Sequence, residues 1–179
     1  DAARMAGLGI SWVRIGEFAW SEIEPEPGQY QFDWLDHAIE TLSSAGLNVI
    51  LGTPTATPPK WLIDQHPDIL CCDAQGRPRL FGSRRHYSFS SETYRAASQR
   101  SIDALAARYA DNEAIIMWQP DNEYGCHDTV ESNDDGAKQA FRAWLKTRYR
   151  TIDALNAAWG TVIWSQNYRT YDEIAPPLA

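Results

Sequence analysis

The sequence predicts an α/β fold, a partial (β/α)8 TIM barrel of about three to four βα units. Three observations predict it. Short apolar runs at 10–15, 48–51 and 114–118 each lead into a polar or Gly/Pro-rich loop and then into a helical pattern. The runs are continuously apolar rather than alternating, as strands covered on both faces require. No GxGxxG or phosphate-cradling loop follows any of them, and the loops are long and rich in Trp, Pro and Arg, which favours barrel-top loops over an open doubly wound sheet.

The helices can be placed in order. Phe32, Leu35, Ile39 and Leu42 stand at helical spacing, with Asp33 as expected N-cap, Asp36 three residues on and Gly46 just past the end. A second helix carries Ile102, Leu105, Ala106 and Tyr109 on one face, with Ser90 or Ser91 to cap its start. A third carries Phe141, Trp144, Leu145 and Tyr149, and a shorter one runs from Ile152 to Ala158 before Trp159-Gly160. A closed barrel needs eight units in about 250 residues. Residues 1–179 therefore read as a fragment of a single barrel domain with the later strands missing; the chain opens inside a helix end, Ala6-Gly7-Leu8-Gly9, and stops just after Pro176-Pro177, so both termini read as cut edges.

Hydrophobic residues make up 44% of the 179, enough for a core, and charge is dispersed, so disorder is excluded. The net charge of −8 repels a phosphate backbone and argues against nucleic acid as partner. No apolar run approaches the ~18 residues that span a membrane, and 1–9 lacks the regions of a signal peptide. Three cysteines, Cys71, Cys72 and Cys126, give neither a disulfide framework nor a CxxC knuckle, so a reducing, cytoplasmic setting is expected.

The densest chemical cluster is Trp118-Gln119-Pro120-Asp121-Asn122-Glu123-Tyr124-Gly125, where an apolar strand ends. In a βα barrel that end is the active-site face. Glycoside hydrolysis needs a carboxylic acid beside the leaving oxygen and an amide that grips the sugar 2-hydroxyl, and Asn122-Glu123 offers both. An isolated Asn-Glu pair would be read as a solvated turn; the strand end and flanking aromatics argue otherwise. His37, His66, His86 and His127 show no zinc-ligand spacing. Glu17 and Trp20 stay unassigned.

Together with Arg14-Ile15-Gly16-Glu17-Phe18-Ala19-Trp20-Ser21, this cluster resembles glycoside hydrolase family 42, the β-galactosidases. Glu24 to Gly28, Phe32 to Asp36, Thr53 to Leu62, Arg84-Arg85-His86-Tyr87 and Ala157 to Gly160 extend the similarity along nearly the whole chain. The resemblance implies Glu123 as catalytic acid/base, with Asn122, Arg84 and Trp164 binding substrate. Composition alone would leave Arg84 in a solvated basic loop with Arg77, Arg79 and Arg85, and would leave Trp164 as a core indole equally well.

The implied activity is a retaining β-galactosidase, with a β-galactoside or galacto-oligosaccharide as substrate, no cofactor, and a homotrimer as assembly. Retention needs a second carboxylate ~5 Å from the first, and nothing after Trp164 offers one; in the family that glutamate ends a later strand. Some members hold a structural zinc with four cysteines, but Ser88, Ser132, Asp134 and Ala137 occupy those places here, so no metal is expected. The alternatives are another retaining barrel glycosidase, such as an arabinosidase, or a non-catalytic carbohydrate-binding barrel.

Overall fold

Three parallel strands form one sheet in the order β1 (Trp12–Ile15), β2 (Asn48–Gly52), β3 (Ile115–Gln119) in the computed structural model. The structure describes residues 1–82, 84–127 and 129–177. Helices α1 (Ala2–Gly7), α2 (Trp20–Ile23), α3 (Asp33–Ser44), α4 (Lys60–Gln65), α5 (Glu92–Tyr109), α6 (Asp135–Tyr149) and α7 (Ile152–Trp159) accompany it. Parallel strands need crossovers, and α3 and α5 supply the two that join β1 to β2 and β2 to β3. Among the described residues no helix is long and apolar enough to cross a membrane.

Helix α3 shows why the sequence folds locally as it does. Leu35, Ile39 and Leu42 recur at helical spacing and are all buried. Its end is a left-handed cap: Gly46 at φ +78 lets its own N–H reach the Ser43 carbonyl and the Leu47 N–H reach that of Leu42. The start departs from expectation. Asp33 is the first helical residue, and Phe32 holds the cap position without any side-chain cap bond. Ring contacts fix that entry instead, Phe32 stacking on Tyr30 at 6.1 Å and meeting Tyr109 edge-on at 5.7 Å. Asp36 turns across to α5, where it accepts from the Arg108 guanidinium and the Tyr109 hydroxyl.

The main core lies between the sheet and these two helices. Val49 and Leu51 of β2 meet Leu35, Ile39, Leu42, Leu105 and Tyr109, with Val13, Ile15, Ile115 and Trp118 packed against them. Full burial of such side chains contributes about 1.5–3 kcal/mol each. The other face is not covered as the apolar runs led us to expect: Trp12 and Met117 lie mostly exposed there.

β2 and β3 pair Val49 with Ile115 and then Ile50 with Met117, so Ile116 is an extra residue, a β-bulge. A second cluster packs Trp20, Leu62, Ile69, Tyr87 and Tyr94 beside the strand ends. A third joins Leu145, Leu155 and Ile174 under α6 and α7. Asp134 caps α6 by accepting from the Ala137 N–H at 2.9 Å, and Ser91 and Thr151 cap α5 and α7 in the same way.

Candidate active site

The loop after β3 is anchored before it reaches Glu123. Thr53 N–H donates to the Gln119 carbonyl at 2.9 Å, continuing the ladder one step past β2. Pro120 has no N–H to offer next, and the following donor, Asp121 N–H, is taken by the Thr53 hydroxyl at 2.7 Å. The ladder to β2 therefore ends on a side-chain hydroxyl rather than a carbonyl. Gln119 then folds over the loop, its amide donating to the Asp121 carbonyl at 2.8 Å and to Asn122 Oδ1 at 3.3 Å. Its own Oε1 accepts from Arg14 at 2.8 Å, and Arg14 also binds Glu17 at 3.0 Å.

Asp121 is buried and surrounded by donors. Its carboxylate accepts from Thr55 Oγ1 at 3.0 Å, from the Asn122 N–H at 2.6 Å, and from the Tyr87 hydroxyl, 3.4 Å from both oxygens. Burial, and after it the Asp121 charge, pushes the Tyr87 phenol well above its usual range. Burial likewise raises Tyr94, helped by Tyr87 and Asp121. Both phenols therefore keep their protons and serve as donors. Tyr94 gives its hydroxyl to the Thr55 carbonyl at 2.9 Å.

The structure brings Arg84, Asn122 and Glu123 together. Arg84 Nη2 lies 2.7 Å from Glu123 Oε2, with the two side chains 57% and 49% exposed. Asn122 is buried beside them, and with Arg84, Arg85, His86, Phe18, Ala56 and Thr57 it lines a cleft of about 310 Å³. Trp164 stands apart. It ends the short 3-10 turn Thr161–Trp164 next to α7 and is 80% exposed, so it is not a core indole in this chain. Among the described residues no hydrogen bond or ring contact joins it to the other three.

Other parts of the site carried no readable signal. His127 places Nε2 3.8 Å from Glu123 Oε2, through a left-handed backbone at φ +60 that no periodicity announces. Arg85, taken with its neighbours as one basic loop, is buried. Trp20 is a core residue whose indole donates to Glu24 at 2.8 Å, and Glu17 is an ion-pair partner of Arg14. His86 is buried and meets Phe81 edge-on at 5.5 Å.

Among the described residues no three His, Cys, Asp or Glu side chains are grouped to hold a metal. Three of the positions compared with zinc cysteines form a hydrogen-bonded knot instead. Ser132 Oγ accepts from the Cys72 N–H at 2.9 Å and donates to Asp134 Oδ2 at 2.5 Å, while Asp134 Oδ1 accepts from Ala137. Ser88 is buried nearby in sequence to Tyr87. Burial raises the thiols of Cys71 and Cys72 above their ordinary values, which disfavours the thiolates that zinc needs.

A parallel βα segment with a carboxylate in the loop after a strand, an adjacent amide and an arginine in reach is an arrangement that barrel glycoside hydrolases use. The β-galactosidase family model of glycoside hydrolase family 42 matches residues 1–179. The chain belongs to that family. The β-galactosidase of Thermus thermophilus is 57% identical over 177 residues, 99% of this chain but 27% of that protein. The crystal structure of β-galactosidase from the psychrophilic Marinomonas ef1 superimposes with a TM-score of 0.95 at 54% identity, over 99% of this chain and 27% of that one. That of the Halorubrum lacusprofundi enzyme gives 0.94 at 49% identity, again over 99% and 27%. The catalytic domain of a β-amylase from Paenibacillus polymyxa, 16% identical, shares the fold with a TM-score of 0.67. The chain thus spans about a quarter of the length of the β-galactosidases it matches.

Proposed function

We propose that the whole protein is a retaining β-galactosidase and that these residues supply its acid/base but not its nucleophile. The observation that carries this reading is the Glu123 carboxylate in the loop after β3, 2.7 Å from Arg84, which lines a cleft together with buried Asn122. Glu123 protonates the departing glycosidic oxygen of a terminal β-galactoside and later takes a proton from the incoming water. Asn122 grips the sugar 2-hydroxyl, where hydrogen bonds strengthen as positive charge develops at the anomeric carbon. Arg84 leaves Glu123 to bind sugar hydroxyls, a change its exposed, flexible side chain permits. Trp164 closes the sugar site as an aromatic wall, its uncovered ring meeting substrate and later parts of the barrel.

The attacking carboxylate comes from a later strand, so this segment alone does not turn over substrate. The names of the relatives support galactoside as the sugar. In the full-length protein, Glu123→Gln should slow lactose hydrolysis about 100-fold to 10,000-fold, the range of general acid–base catalysis. Undiminished hydrolysis of lactose by that variant would overturn the assignment.

A further inference from the structure

We propose that Arg85 and Asp121 form a buried clamp that positions Glu123 for proton transfer, a reading that rests on Glu123 being the acid/base. Arg84 and Arg85 are neighbours in sequence but part company in space. The backbone at Arg85 is left-handed, φ +54, and its side chain is 4% exposed while that of Arg84 is 57% exposed. The guanidinium of Arg85 donates through Nη1 to the carbonyls of both Asn122 and Glu123, and its Nη2 lies 3.5 Å from Asp121 Oδ1. One planar fork thus ties together three consecutive residues. The rings of Tyr87, Phe89 and Tyr124 surround it with centroids 5.8, 5.5 and 5.9 Å away.

Two of the three clamped residues have an uncommon backbone. Asp121 and Glu123 sit at φ +53 and +49, conformations that residues with a Cβ adopt only when their surroundings impose them. At Asp121 the backbone is held by the Thr53 hydroxyl and the Gln119 amide, and at Glu123 by Arg85; Asp121 also answers the Arg85 charge, since a buried guanidinium is unfavourable without a carboxylate partner. Asp121 is in turn fixed by Thr53, Thr55 and Tyr87. Arg84 touches the Glu123 carboxylate only until it turns to the sugar, whereas Arg85 keeps hold of the peptide from which that carboxylate projects. Lysine cannot replace this fork, because a single ammonium offers no planar set of donors.

The test uses full-length enzyme with Arg85→Lys, Asp121→Asn and, as reference, Glu123→Gln. For each, kcat/KM is measured on lactose, a poor leaving group that needs a proton, and on dinitrophenyl β-galactoside, whose leaving group departs without one. Both substrates are read on one preparation, so the ratio does not depend on how much of it is folded. Glu123→Gln should lower the lactose value about 100-fold or more relative to the dinitrophenyl one. Arg85→Lys and Asp121→Asn should skew the same ratio about tenfold, as a misaimed proton donor does. Equal losses on both substrates for Arg85→Lys and Asp121→Asn, with Glu123→Gln still skewed, would overturn the clamp and leave the acid/base standing. No skew for Glu123→Gln would overturn the acid/base reading itself.

Discussion

Replacing Gly52 by alanine adds one methyl group at the end of β2, where the loop after β1 runs closest to the sheet. The new Cβ would sit 2.7 Å from Glu17 Cβ, 2.9 Å from its Cα and 3.0 Å from its N. Carbon atoms in contact prefer about 3.5–4.0 Å, so the shortfall is close to 1 Å. All three atoms belong to the main chain or the stem of the side chain, and no rotamer of Glu17 relieves the clash. Moving the loop is hindered as well, because its backbone already runs tight against β2: a Cβ added at Gly16, φ +95, would meet Leu51 Cδ1 at 3.0 Å and the Gly52 carbonyl oxygen at 3.1 Å. Overpacking of a filled site costs about 1–3 kcal/mol, and this rigid site belongs in the upper half of that range.

The assay is chemical denaturation of the full-length protein or, where unfolding is irreversible, the rate of thermal inactivation. A loss of about 2–3 kcal/mol is expected. The double variant Gly52→Ala with Glu17→Gly removes the nearest carbon but leaves the Cα at 2.9 Å, so it should recover only part of the loss. A Gly52→Ala protein within about 0.5 kcal/mol of the parent would refute the close approach.

Asp134→Ala removes the cap on the Ala137 N–H and the partner of Ser132. It should cost about 1–2 kcal/mol in denaturation, and unchanged stability would show that the cap carries no weight. The Arg108 guanidinium, and with it the Tyr109 hydroxyl, holds the Asp36 carboxyl below its usual value. The unfolded chain therefore binds the extra proton first, so this contribution is complete above the unfolded carboxyl value of about 3.9 and fades as pH falls through the lower folded one. Asp36→Asn should flatten stability against pH in that acid window, and a parent and variant with parallel acid slopes would contradict it.

What the sequence made legible was what periodicity encodes. The three strands were found within two residues of their observed bounds, because each is an apolar run closed by turn residues. Leu35, Ile39 and Leu42 were placed on one helix face for the same reason. Asp33 misled because rings, not the carboxylate, set the helix entry. Helices α2 and α4 carry no readable pattern, being only four and six residues long, whereas the end of α1 is marked by Ala6-Gly7-Leu8-Gly9. The cluster around Glu123 could be picked out from its strand end, and Arg84 only through resemblance. The separate fate of Arg85 could not be read, since it depends on a backbone reversal at that residue and on partners 36 to 38 positions away.

The bulge at Ile116 has a bearing on how such a site can evolve. Side chains on a strand alternate with a period of two, so one surplus residue would invert the parity of everything after it unless a bulge takes it up. With the bulge, Trp118 stands opposite Leu51 and joins the helix-side core, while Gln119 stands opposite Gly52, where it reaches Arg14. Excising Ile116 would leave that pairing in place, with Met117 following Ile115 opposite Ile50, whereas a residue lost after Met117, where no bulge absorbs the change, would swap their sides. The bulge is thus a place where the strand can gain or lose one residue without moving the loop after β3.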